Sequence, residues 1–286
     1  MLPADVVTPR LLRGWPLPEP GEGGDKYDRG TVLVVGGSTS TPGAVLLAGL
    51  AALRTGAGKL QILTVEATAV TLGVAVPEAA VVGLPAAPDG SLSPTAAGQV
   101  LDRSERASAV VLGPGLLDTD GAGELLRRVL PHVGDTPLLL DGVALEALAK
   151  DPGLLAGRVG LLTPNARELA ALHGGEELAD EAAAGLVSQR YDAVVSAPGR
   201  VAAPDGRRWS VEAGGVGLGT SGSGDVLAGL TGGLLACGAE PAQAGVWGQY
   251  LHSSAGDLLT ARLGRVGFLA RELLEVVPTV LGQLRP

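Results

Sequence analysis

The segment Thr220-Ser221-Gly222-Ser223-Gly224-Asp225 sets two glycines, two serines and a carboxylate immediately before an apolar run that starts at Val226. Gly222 and Gly224 let the backbone curl with positive φ and approach a ligand, and the first N–H groups of a helix beginning here have no partner inside it. Free donors and the helix dipole together make an anion hole suited to phosphate. A carboxylate would repel that anion unless it had its own task. The task that fits is general base, with Asp225 taking a proton from a hydroxyl that attacks a terminal phosphoryl group. Helix capping by Asp225 is the other reading, and the hexapeptide alone leaves both open. Gly217, Gly219 and Gly222 also match GxGxxG, but a dinucleotide fingerprint needs a following strand with an acidic residue about 20 positions on. A second helix is expected instead, which argues against a Rossmann site.

Three further turns are expected, like this one, to follow strands: residues 36–43, Gly113-Pro114-Gly115, and Thr163-Pro164-Asn165-Ala166-Arg167-Glu168. Residues 36–43 lack the Gly-Lys-Ser/Thr of a P-loop yet have the position of a ligand-binding turn. Gly113-Pro114-Gly115 suits either close passage of a substrate or an ordinary strand-to-helix turn. Asn165 and Glu168 stand three residues apart on one side of a helix that Pro164 helps to start. There they suit either a hydrated Mg²⁺ with its phosphates or a capping box. Asp141 closes Leu138-Leu139-Leu140 at the ligand end of the sheet, or caps the next helix. His252 and Asp257 fall on a long helix, where packing and surface roles are expected.

Elements must hold these turns together. The chain has 286 residues, 46% of them hydrophobic, enough for one large α/β domain, and only 2% aromatic, so Ala, Val and Leu build the core. Thr31-Val32-Leu33-Val34-Val35 reads as a parallel strand buried on both faces. Thr41 offers an N-cap, Pro42 a first helical position, and residues 44–55 a helix that Gly56 can end. Strands are expected near 60–64, 109–113, 137–141, 159–163 and 192–196, with helices near 120–133, 143–150, 166–173 and 177–190. A short polar hairpin around Pro204-Asp205-Gly206 precedes helices near 224–237, 241–262 and 268–284. This alternation predicts α/β architecture, a mostly parallel central sheet with helices on both faces and ligands at the strand C-termini. Residues 1–30, rich in Pro and Gly, are expected to form an extended lead-in to a single domain spanning 31–286.

A formal charge of −9 argues against nucleic acid or anionic membranes as partners, because both reward clustered Lys and Arg. No stretch has the apolar length of a membrane span, and Met1-Leu2-Pro3-Ala4-Asp5 lacks a secretory pattern, so a cytoplasmic address is expected. Cys237 is the only cysteine and is expected to be a buried helical thiol. No Cys/His metal spacing appears, so a metal would take oxygen ligands.

With these residues assembled, the chain resembles the ribokinase-like superfamily and, within it, the ADP- or ATP-dependent NAD(P)H-hydrate dehydratases, over nearly its whole length from about Asp25. Residues 32–44 look like the family's opening strand and turn, Pro77-Glu78-Ala79 like its Pro-Glu-Ala segment, and residues 113–116 like its Gly-Pro-Gly-Leu turn. Residues 222–229 match Gly-Ser-Gly-Asp-Val-Leu-Ala-Gly at every position, and Leu251-His252 with Ala255-Gly256-Asp257 match a later helix. The resemblance implies a three-layer ribokinase-like fold and repair of NADH or NADPH hydrated at C6. A nucleotide, ADP or ATP with Mg²⁺, phosphorylates the hydroxyl, and phosphate then leaves. Carried over by motif, Ala44 and Gly115 would contact the hydrated cofactor, Gly224 the AMP part of the nucleotide and Asp225 the reacting hydroxyl; Asn165 is expected at the substrate as well. Ser196-Ala197-Pro198-Gly199-Arg200 and Ser221, Gly222, Ser223 and Gly224 hold the nucleotide, and Glu168 reaches metal indirectly. A homo-oligomer, specifically a homotetramer, is also implied. Three positions depart from the family. Asn165 replaces a His after Thr-Pro, residues 196–200 lack a Lys-Gly pair, and Asp141-Gly142-Val143 replaces Asp-Ala-Asp. Asn165 with Glu168 instead looks like the Asn-x-x-Glu of small-molecule kinases, the alternative function.

Overall fold

The computed structural model describes residues 3–19, 25–175 and 180–285. Met1, Leu2 and Pro20, and residues 177–179 of the helix expected from 177, lie outside these. The chain opens with β1 (Asp5–Val6) and α1 (Pro9–Arg13), then β2 (Thr31–Val35), α2 (Pro42–Arg54), β3 (Lys59–Val65), α3 (Glu66–Ala75) and β4 (Ala79–Leu84). It continues through α4 (Ala97–Ser104), β5 (Ala109–Leu112), α5 (Thr119–Val129), β6 (Leu138–Leu140), α6 (Val143–Lys150), β7 (Gly160–Leu162), α7 (Ala166–His173) and α8 (Asp180–Tyr191). Then come β8 (Ala193–Ala197), β9 (Arg200–Ala202), β10 (Arg208–Ser210), α9 (Ser223–Ala236), α10 (Pro241–Leu263) and α11 (Ala270–Leu284).

All ten strands form one sheet in the order β1-β10-β9-β8-β7-β6-β5-β2-β3-β4. β2 through β8 are mutually parallel, and β9 and β10 are the antiparallel hairpin expected around Pro204-Asp205-Gly206. β2 shows why such runs sit centrally. Its alternate residues enter two cores, Val32 and Val34 beneath α2, α9, α10 and α11, and Leu33 and Val35 beneath α4 to α8. From β2 the chain runs outward to β3 and β4, then returns to β5 on β2's other side and runs outward again through β8. The order therefore reverses between β2 and β5, and the crevice outside their C-terminal ends is the place such sheets offer to ligands.

Four expectations need correction. Residues 3–19 are more than an extended lead-in: Asp5 and Val6 pair in parallel with β10, and Trp15's carbonyl accepts from Gln243 and Trp247 on α10, so strand and helix alike are tied to the domain. α5 stops at Val129 and a 3-10 turn (Leu130–His132) follows, because Pro131 cannot supply the next helical N–H. α3, β4 and α4 were not foreseen. α3 is built of Ala, Val, Thr and Gly, whose weak polar contrast hides its period, and β4 is an edge strand with little burial. Cys237 lies one residue beyond α9, half-buried, and burial pushes its thiol up. Among the described residues, no helix is long and apolar enough to cross a membrane.

Candidate active site

The turns after β2 and β5 meet at the reversal point. Gly37 N–H donates to the Pro114 carbonyl (2.8 Å), and Thr41 Oγ1 donates to the Gly115 carbonyl (2.7 Å). Thr41 stands at the N-cap of α2, as expected, but its hydroxyl is spent on this clasp and caps nothing. The clasp holds Gly115 so near α2 that a Cβ there would lie 2.8 Å from the Ala44 Cβ, in addition to facing a φ of +71°. Two residues 71 positions apart by subtraction of their numbers thus share one locus. Thr41→Val removes the clasp's side-chain donor and is expected to destabilise the fold by about 1 kcal/mol, read by denaturant melt.

The turn before α9 is built on Gly222, which takes φ +88° as N-cap with no side-chain cap. Gly224 is helical rather than left-handed, and so does not supply the second positive φ expected of it. The turn follows a 3-10 segment (Val216–Leu218), not a strand as expected. Ser223 N–H bonds the Thr220 carbonyl (3.2 Å) and Val226 N–H the Gly222 carbonyl (3.1 Å). The N–H groups of Gly224 and Asp225 take no partner among the described residues, so two donors point out of the helix start. Asp225 caps nothing either and accepts no hydrogen bond among those residues.

Between this turn and the C-terminal ends of β6 and β7 lies a cleft of about 720 Å³. Asp141, Asn165, Glu168, Pro198, Gly199, Ser223, Gly224 and Asp225 line it, with Gln249, His252 and Ser253 of α10 and residues 211–215 of the loop after β10. Other expected nucleotide contacts fall elsewhere. Ser196 and Ala197 are buried within β8, where Ser196 Oγ donates to Gln249 Oε1 (3.3 Å), and the Arg200 guanidinium donates to its neighbour's carbonyl, Gly199 (2.8 Å). Neither Arg200, Ser221 nor Gly222 forms the cleft wall. Ala44 and Gly115 lie outside that wall too, at the reversal point.

The cleft's charge is one-sided. Asp141, Glu168, Glu212 and Asp225 line it, without any Lys or Arg among the described lining residues. Burial, then the Glu168 carboxylate, raises Asp225 to about 6. Burial raises Asp141 to about 8, reinforced by the Asp225 charge and opposed by the Thr163 hydroxyl, which donates to Asp141 Oδ1 (2.8 Å). Glu168 is also shifted upward, mainly by burial. Asn165 and Glu168 form a full capping box, with Glu168 N–H donating to Asn165 Oδ1 and Asn165 N–H to Glu168 Oε2, each 2.9 Å. Both still face the cleft. No group of three or more His, Cys, Asp or Glu among the described residues is gathered tightly enough to ligate a metal directly. Oxygen donors around a negative cleft could hold only a hydrated Mg²⁺, which Glu168 could reach through water.

Sequence reasoning gave His252 a packing role, and it is packed, but it also lines the cleft. It is 6% exposed, shares a 2.9 Å hydrogen bond between Nε2 and Ser223 Oγ, and is held down to about 4 by burial, so the imidazole is neutral. Its signal was the spacing Gln249, His252, Ser253, a polar stripe at i, i+3, i+4 within α10. Asp257 accepts from the Gly214 N–H (3.1 Å) and so steadies the loop across the cleft.

A family model described as NAD(P)H-hydrate dehydratase matches residues 32–279. An ADP-dependent (S)-NAD(P)H-hydrate dehydratase of Xanthomonas campestris is 44% identical over 287 aligned positions, covering 98% of this chain and 96% of its own. A bifunctional NAD(P)H-hydrate repair enzyme of Escherichia coli is 33% identical over 90% of the chain, which spans 48% of that longer protein. The crystal structure of the ADP/ATP-dependent NAD(P)H-hydrate dehydratase of Bacillus subtilis, co-crystallised with ATP and Mg²⁺, superposes with a TM-score of 0.82 at 28% identity and full coverage of both chains.

Proposed function

Because the chain belongs to the NAD(P)H-hydrate dehydratase family, we propose that it restores hydrated NADH and NADPH in a reaction driven by ADP or ATP, with Asp225 as general base. The observation that carries the assignment is Asp225 itself: a carboxylate that, among the described residues, accepts no hydrogen bond and stands beside two backbone donors without partners at a helix start. Asp225 removes the proton from the C6 hydroxyl as that oxygen attacks the terminal phosphoryl group. The Gly224 and Asp225 N–H groups meet the charge that develops on the transferring group. Ala44 and Gly115 form the surface against which the hydrated ring rests. Pro198, Gly199 and Ser223 line the nucleotide's side of the cleft, and His252 fixes the Ser223 hydroxyl. Glu168 would hold Mg²⁺ through water, and the ion would supply charge to neutralise phosphate in a cleft whose described lining residues include no Lys or Arg. By family resemblance the protein assembles as a homotetramer, which light scattering on the eluting protein reads directly.

Asp225 must be ionised to act, so kcat/KM for hydrated NADH is expected to fall about tenfold per pH unit below about 6 and to flatten just above it. An acid limb near the ordinary carboxylate value of ~4 would show that the catalytic base is not this half-buried group. The assignment as a whole is tested by incubating protein, hydrated NADH, Mg²⁺ and either nucleotide. Return of NADH absorbance supports it. A phosphorylated alcohol that persists would make the protein a small-molecule kinase instead.

A further inference from the structure

We propose that Asp141 is a second catalytic residue, a neutral carboxylic acid that protonates phosphate as it leaves C6 and takes up the proton released from C5. The inference rests on the dehydratase reading above. Hydration adds OH at C6 and H at C5, so repair must remove both. In the first step the C6 oxygen bonds to phosphorus, the bond to the departing nucleotide breaks, and the hydroxyl proton goes to Asp225. In the second the C6–O bond breaks and its electron pair leaves with phosphate. The C5–H pair becomes the C5=C6 bond, and the C5 proton needs an acceptor. No electrons are gained or lost overall. Asp225 already holds a proton by then.

The departing phosphate also needs positive charge, and the described lining residues of the cleft offer neither Lys nor Arg. Among the cleft's own side chains, a neutral carboxyl group is the acid that can give the departing phosphate a proton. Among the cleft's other carboxylates, Glu168 accepts the Asn165 N–H in its capping box, and Glu212 is exposed on the far loop. Asp141 is 6% exposed and lies at the end of β6. Its N–H donates to the Leu112 carbonyl (3.1 Å), which sets it beside the Gly113-Pro114-Gly115 turn that is clasped to α2. Thr163 Oγ1 holds Oδ1 at 2.8 Å and fixes the carboxyl orientation. Burial, first of all, keeps the proton on Asp141 at neutral pH, and before phosphoryl transfer the Asp225 charge adds to it. One carboxyl group spans the adjacent C5 and C6 positions, giving its proton to oxygen and regaining one from carbon.

The test is a rapid-quench single turnover of Asp141→Asn with hydrated NADH carrying deuterium at C5, reading AMP release from ADP and NADH recovery separately. AMP is expected to form within ~3-fold of the wild-type rate, while NADH recovery slows by ~10²-fold, a phosphorylated hydrate accumulates and the deuterium effect grows. AMP and NADH falling together, or NADH appearing in step with AMP at the wild-type rate, overturns the role of Asp141. Thermal melts accompany the assay. If Asp141→Asn does not fold, Thr163→Val, which frees Oδ1, must show the same separation in weaker form, and its absence there also overturns the role. A wild-type protein that recovers no NADH overturns the dehydratase reading itself, and Asp141's part with it.

Discussion

Asp225→Asn is expected to lower NADH recovery by ~10²–10⁴-fold while ADP binding, measured calorimetrically, holds or tightens. The asymmetry follows from the geometry. The carboxylate takes no hydrogen bond among the described residues, so the amide strands no partner there and the α9 turn keeps its shape. On the proposed reading, phosphate contact comes from the Gly224 and Asp225 N–H groups, which the substitution retains, and removing a negative charge relieves repulsion of the nucleotide. What is lost is the proton acceptor. A variant with an unchanged rate would take Asp225 out of the mechanism, and one that lost ADP binding would make the residue structural.

Gly222→Val is expected to cost stability and nucleotide binding together. At φ +88° a side chain pays roughly 1–2 kcal/mol for the left-handed conformation. A Cβ there would also approach Leu47 Cδ1 at 2.6 Å and the Ala270 Cβ at 3.3 Å. The turn must open or the helices behind it must shift, and either change moves the two free donors. Thermal melts should show a loss of about 2 kcal/mol or more, and ADP affinity should drop at least ~10-fold. Gly222→Ala, facing the flexible end of Leu47, should lose less on both counts. Full ADP affinity in a destabilised Gly222→Val protein would separate the turn's shape from its binding role.

Much of this arrangement was legible in the chain. β2 declared itself because a continuous, mostly β-branched run without charge belongs in the middle of a parallel sheet, and Pro42 marked where α2 begins. The Rossmann alternative at Gly217, Gly219 and Gly222 failed for the reason expected, since α9 is followed by α10 and not by a strand. Contacts across the sheet were not legible. Nothing in residues 36–44 says that they will meet residues 113–115, because that meeting depends on β5 returning to the side of β2 opposite β3. Asp141 was visible as a carboxylate at a strand end, yet its isolation from water and its bond to Thr163 needed three dimensions. Asn165 and Glu168 showed the reverse. Both the capping box and a cleft-facing position were open from spacing alone, and the fold uses them for both.

The dehydratase reading is tested most directly by one stoichiometric measurement on the wild-type protein: hydrated NADH, ADP and Mg²⁺ together, with NADH, AMP and inorganic phosphate followed over the same time course. All three are expected to rise in equal amounts and to stop when ADP is exhausted. AMP appearing without NADH while a phosphorylated product persists, or no turnover with either ADP or ATP, would contradict it.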